Sequence, residues 1–156
     1  MRKHKVYLDT SIISYYFAGD VPKEQQITRD FLEELIISKN YEVYVSTVVL
    51  DEIKRCKTEE KRNQLNTVIE KLNPTILEVT SEIADLANLI IKEGAIPAKN
   101  DEDAYHVAFS LFHEVDYLVS WNFTHIVKTK TKRIVSVVAL REGYRDIQIL
   151  SPLEGL

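Results

Sequence analysis

The sequence has one cysteine, Cys56, among 156 residues. An internal disulfide framework is therefore excluded, and no ligand spacing around that cysteine suggests a zinc knuckle. No apolar run is long enough for a membrane span. The opening Met1-Arg2-Lys3-His4-Lys5 leads into an apolar stretch too short for a secretion signal, so a cytoplasmic protein is expected. Basic charge is not in excess either: the net charge is −4. That argues against a surface binding nucleic acid by bulk electrostatics, but not against a nuclease, whose active-site carboxylates lower the net charge. Only four glycines and four prolines are present. No repeat, low-complexity tract or linker divides the chain, and one domain over residues 1–156 is expected.

What is there is a 45% hydrophobic chain, enough to fill a core, in which strand-like and helix-like segments alternate. Val6-Tyr7-Leu8 runs into Asp9-Thr10-Ser11, whose oxygens suit a helix cap. Pro22 opens a helix with Ile27, Phe31, Leu32, Leu35 and Ile36 on one face. Tyr41 to Val45 reads as a strand, with Ser46-Thr47 capping a helix that contains Glu52, and a further helix runs from about Thr58 to Asn73-Pro74. Ile76 to Val79 reads as a third strand. Ser81 caps a helix ending near Gly94, and Asn100 caps another with Asp101, Glu102 and Asp103 in its first turn. Tyr117 to Ser120 is the next strand. A basic stretch and a helix through Ile134, Val135, Val138 and Leu140 follow, and Ile147 to Leu150 closes the chain. Such alternation implies a three-layer α/β sandwich with a mainly parallel sheet.

In sheets of this kind, residues just past the carboxyl ends of strands converge where the strand order reverses. Asp9, Glu52, Asp103 and Asn122 are candidates to meet there. Three carboxylates raise one another's proton affinity unless a cation neutralises them, which points to metal chemistry rather than bare acid–base catalysis. Oxygen ligands of this type suit Mg²⁺ or Mn²⁺. Each residue also has an ordinary role: Asp9 as a helix cap, Glu52 or its neighbour Asp51 on a solvated face, and Asp103 with Asp101 and Glu102 as favourable charges at a helix start.

Four segments in order resemble the PIN-domain family, including its VapC-type toxins: Val6-Tyr7-Leu8-Asp9-Thr10-Ser11, then Val45 to Ile53, then Asp103-Ala104-Tyr105-His106-Val107-Ala108, then Leu118 to Ile126. The resemblance implies a PIN α/β/α sandwich and Mg²⁺- or Mn²⁺-dependent endonucleolytic cleavage of RNA. It places the catalytic and metal-ligating positions on Asp9, Glu52, Asp103 and Asn122. It further implies a homodimer and a small antitoxin partner. This sequence departs from the family pattern at Asn122, where a fourth acid is common, and at His125, where another Asp often stands. An amide brings no charge, so weaker metal affinity, or one ion instead of two, is the implied consequence.

Thr10, Ser11 and Ser120 are candidates to orient the carboxylates or simply to cap. His106, one helical turn beyond Asp103, is a candidate to approach the site but is read first as a hydrogen-bonded structural histidine; Trp121, Tyr15 and Tyr16 are candidates to stack on exposed bases but are read first as core or partner-facing aromatics. The clusters Lys54, Arg55, Lys57, Lys61, Arg62 and Lys128, Lys130, Lys132, Arg133 read as solvated helix faces, or, under the resemblance, as a phosphate-contacting rim. A catalytically weak RNA-binding or scaffold module is the alternative. A phosphatase using Asp9 as nucleophile is disfavoured because Ser11 stands where a second Asp is needed, and a receiver domain because Val79-Thr80-Ser81 offers no acid.

Overall fold

The computed structural model describes residues 2–156. Strands β1 (His4–Leu8), β2 (Tyr41–Ser46), β3 (Thr75–Leu77), β4 (Tyr117–Val119) and β5 (Gln148–Leu150) form one sheet. Its order is β3-β2-β1-β4-β5, and every adjacent pair is parallel. Helices α1 (Thr10–Tyr15), α2 (Pro22–Ile37), α3 (Thr47–Lys54) and α4 (Glu59–Leu72) connect β1 to β2 and β2 to β3. Helices α5 (Ser81–Lys92) and α6 (Asp101–Phe112), with a 3₁₀ turn at Ala98–Asn100 between them, cross from β3 to β4; α7 (Thr129–Glu142) joins β4 to β5.

Side-chain alternation along the central strands makes two cores. Val6 and Leu8 of β1, with Val45 and Val119, pack on Ile12 and Ile13 of α1, Leu32 of α2, Val49 and Ile53 of α3 and Leu65 of α4. Tyr7 and Leu118 face the other way, onto Ile83 and Ile90 of α5, Val107 and Phe109 of α6 and Val135 and Val138 of α7. The period of two in β1 thus assigns helices to opposite faces, giving the α/β/α sandwich expected from the sequence. Strand order reverses between β1 and β4, because the connections from β1 step toward β3 and those from β4 step toward β5. The crevice beyond the carboxyl ends of β1 and β4 is where such a sheet places its site.

Several local expectations are corrected. The third strand ends at Leu77 rather than Val79, since β2 pairs it only over Thr75–Leu77. Thr80, not Ser81, accepts the capping bond, from Ile83 N–H. Neither Ser46 nor Asn100 makes a side-chain cap. The Ser46 hydroxyl is committed to Tyr7, and the Asn100 Oδ1 is buried without a partner among the described residues. The last helix begins inside the basic stretch, at Thr129. Its buried stripe is Thr131, Val135, Val138 and Ala139, which turns Leu140 out to 83% exposure. Ile36 is likewise exposed, on the outer side of α2. Trp121 is core, as expected, with its indole N–H bonded to the buried Thr28 hydroxyl at 2.8 Å and its ring stacked on Tyr15.

Among the described residues, no helix is long and apolar enough to cross a membrane.

Candidate active site

β1 delivers Asp9 to the switch point directly: the chain leaves the sheet at Leu8, and Asp9 is the N-cap of α1, its Oδ1 accepting from Ile12 N–H at 3.3 Å. It is both the cap and the buried acid, at 3% exposure. Two hydroxyls compensate its charge. Ser11 Oγ donates to Oδ1 at 2.6 Å, and Ser120 Oγ, just past β4, donates to Oδ2 at 2.5 Å. These hydroxyls also accept, from Trp121 N–H and Asn122 N–H respectively, which ties the turn after β4 to the turn after β1. Burial still dominates, and it pushes the Asp9 carboxyl above its ordinary range despite the nearby His106 and the serine donors.

Glu52 sits on α3 and is half-buried. Its Oε1 accepts from Thr10 Oγ1 at 2.8 Å and lies 2.9 Å from His106 Nε2. Burial pushes this carboxyl up, but His106, Thr10 and Arg55 together outweigh burial and hold it below its ordinary value. Asp103 lies in the first turn of α6. Its Oδ2 accepts from Asn122 Nδ2 and faces His125 Nδ1, both at 3.1 Å. The Asn122 Oδ1 is taken up by His125 N–H at 2.8 Å, and so the amide cross-braces the turn while its NH₂ group faces the acid. Arg55, at the end of α3, pairs with Glu102 of α6 and bridges the two helices that carry Glu52 and Asp103.

The four sequence candidates thus fall at one end of the sheet, linked by short hydrogen-bond chains. Asp103 leads through Asn122 and Ser120 to Asp9, and Thr10, next in the chain, holds Glu52. His106 feels all three carboxylates, although its own burial opposes its charge; the balance raises its pKa. The acids are not, however, collected into a ready-made cage. Among the described residues, no three His, Cys, Asp or Glu side chains are close enough to hold a metal ion. Instead, each carboxylate has its own pair of side-chain donors. These donors offset part of the cost of placing three acids at one end of the sheet.

His106 is buried and hydrogen-bonded, as expected from the sequence, whereas the part that Tyr7, Ser46 and His125 play around the site was not foreseen. One signal was available for Tyr7: a tyrosine in an otherwise aliphatic central strand needs a buried partner for its hydroxyl. A cavity of about 490 Å³ lined by Lys3, Ser38, Lys39, Tyr41, Lys71 and Asn73 lies at the opposite end of the sheet. There α2 and α4 terminate, and Lys71 lies in the last turn of α4, where a helix carboxyl end favours a cation without any ligand.

The PIN domain family matches residues 6–122, about three quarters of the chain, from β1 through the turn that carries Asn122. This chain belongs to the PIN domain family, whose members are generally nucleases. No curated protein matches the chain.

PIN nucleases typically use divalent metals. The donor chemistry here fits such an ion: the available groups are carboxylates, and Oε2 of Glu52 and Oδ1 of Asp103 accept no hydrogen bond among the described residues.

Proposed function

We propose that this chain is an endoribonuclease dependent on Mg²⁺ or Mn²⁺, with Asp9, Glu52 and Asp103 holding the ion. The observation that carries this reading is the arrival of three acids from three separate elements at the sheet's switch point, each with its own donors. A bound divalent ion would supply positive charge beside a scissile phosphate and acidify water there. The protein's part is orientation. Ser11 and Ser120 hold the Asp9 carboxylate, Thr10 and His106 hold Glu52, and Asn122 and His125 hold Asp103. Asn122, expected as a fourth ligand, serves in this reading chiefly to brace Asp103; its oxygen keeps one lone pair beyond the bond from His125 N–H. Lysines and arginines of the rim would meet the phosphates of the RNA.

The test is cleavage of a labelled RNA with Mn²⁺, with Mg²⁺ and with chelator, by the natural sequence and by Asp9→Asn, Glu52→Gln and Asp103→Asn. Metal-stimulated cleavage that each substitution abolishes is expected. Normal cleavage by all three variants would refute the assignment.

The absence of a preformed metal cage among the described residues favours a second reading, an RNA-binding module with weak or no catalysis. RNA retention without cleavage, equal in the natural sequence and in Asp9→Asn, would select it. The resemblance to VapC-type toxins supports a finer proposal, that the chain is the cytoplasmic toxin of a toxin–antitoxin pair, a homodimer silenced by a small partner. Growth arrest on expression, relieved by a neighbouring gene product, is the expected result. No growth effect would reject the toxin role and leave the nuclease reading standing.

A further inference from the structure

Behind Glu52, its contact with His106 continues into a chain of buried polar groups. The Tyr7 hydroxyl is 2.8 Å from Ser46 Oγ and 2.7 Å from His106 Nδ1, and His106 Nε2 is 2.9 Å from Glu52 Oε1. Tyr7 is wholly buried, as is Ser46, and His106 is 1% exposed. The proton placement follows from the ends. An ionised carboxylate has no proton to give, so Nε2 carries the hydrogen. In the neutral ring Nδ1 then accepts from Tyr7, whose oxygen accepts from Ser46; in the protonated ring Nδ1 donates to Tyr7, whose hydroxyl donates to Ser46, and each hydroxyl finds a partner either way. The ring is also held by packing: Tyr7 lies against it at 5.7 Å between centroids and stacks in turn on Phe109. Both ring nitrogens are therefore engaged, and the ring packs against Tyr7.

Glu52 would otherwise keep a long, partly exposed side chain with considerable rotamer freedom. Thr10 from α1 and His106 from α6 converge on one of its oxygens and leave the other without a partner among the described residues. We infer that His106 is a positioning residue, fixed by Tyr7 and Ser46, which locks Glu52 in the orientation that receives a divalent cation. The inference rests on the metal-dependent reading above. A buried histidine needs a partner on each nitrogen in any case; what points to positioning is that one partner is the Glu52 carboxylate, gripped on a single oxygen, while the other is anchored in the core.

The experiment uses the full chain and Mn²⁺ alone, titrated calorimetrically, with far-UV circular dichroism confirming the fold of each variant. For His106→Ala the Mn²⁺ affinity should fall about 10–100-fold, and for Tyr7→Phe by a smaller factor of about 3–10. His106→Gln keeps an N–H donor toward Glu52 and should recover most of the loss. Equal Mn²⁺ affinity in folded His106→Ala and the natural sequence would overturn the inference. So would equal weakening by His106→Gln and His106→Ala. If His106→Ala does not fold, the Tyr7→Phe and His106→Gln values decide by the same criteria.

A second readout needs no metal. In the metal-free protein, imidazole ¹⁵N spectra should show hydrogen on Nε2 of His106 and a changed Nδ1 signal in Tyr7→Phe; a bare Nε2 would overturn the inference. Failure of the natural sequence to bind Mn²⁺ at all would instead sink the metal reading, while the ring's proton placement stays testable in its own right.

Discussion

Replacing Ser120 with alanine removes one of the two hydroxyl donors that compensate a carboxylate only 3% exposed. A hydrogen bond to a charged group contributes about 1.5–3 kcal/mol, against about 1 kcal/mol for a neutral pair. The same oxygen accepts from Asn122 N–H, which would lose its partner, though that residue is half-exposed and water can take part of the place. Together these put the cost of Ser120→Ala at about 2–4 kcal/mol at neutral pH, or about 5–15 °C in Tm for a chain of this size. In an Asp9→Asn background the charge is gone, and the same substitution should cost only about 1 kcal/mol. The coupling energy of the cycle is therefore about 1–3 kcal/mol. Urea unfolding of the natural sequence, both single variants and the double variant, in chelator at pH 7, measures it. The cost of Ser120→Ala should also shrink in acid, as Asp9 takes up its proton. Identical costs in the two backgrounds would show that Asp9 is not an ionised, serine-compensated acid, and the electrostatic account of the site would fail.

Burial raises the Asp9 pKa in the folded chain, so its contribution to stability is greatest below the ordinary carboxylate value and is lost as pH rises through the folded pKa. Asp9→Asn should remove that loss, and its urea midpoint relative to the natural sequence should climb from pH 3 to pH 7 in metal-free buffer. Glu52 has the opposite sign: its folded pKa is lowered, so its contribution is present above the ordinary glutamate value and disappears as pH falls through the folded one. Glu52→Gln should accordingly lose stability relative to the natural sequence near neutrality and converge with it in acid, followed by the same titration. Trp121→Phe, which abandons the bond to Thr28 inside the core, should cost about 1–3 kcal/mol by chemical denaturation. Leu140→Arg on the outer face of α7 should stay within about 0.5 kcal/mol; a larger loss would mean that this face is covered in solution.

The sandwich was legible because its signals are local. β1 alternates between two cores, Pro22 starts a helix, and Asn73 and Gly143, both at positive φ, stop two others. Apolar content without its phase was less informative: Leu140 and Ile36 look like core residues until the neighbours that face the sheet are known. The candidate acids were legible through segments that resemble a family, and Asp9 also through its place after a strand. Their partners were not, because the Asp9–Ser120 pair spans 111 positions and the His106–Glu52 pair spans 54. Nothing in local pattern ties those residues together; only the crossover that seats β4 beside β1 does. Ser46 illustrates the cost of arguing locally: at a strand-to-helix junction it reads as a cap, whereas its hydroxyl serves Tyr7 from the adjacent strand.

Carboxylates that are already satisfied impose a condition on any cation that binds them. Coordination must compete with the hydroxyls on Asp9, with Thr10 and His106 on Glu52, and with Asn122 and His125 on Asp103. The free oxygens of Glu52 and Asp103 can be approached without breaking these bonds, whereas Asp9 is more enclosed and more costly to keep ionised. On the proposed reading, the ion's charge would relieve that cost, so binding and ionisation of Asp9 favour each other. An aspartate in place of Asn122 would add a fourth negative charge beside Asp103 and delete the NH₂ donor that now offsets it. It should therefore tighten Mn²⁺ binding while lowering the stability of the metal-free chain. The amide is the opposite compromise: it keeps a donor beside Asp103 and brings no charge that would draw a cation.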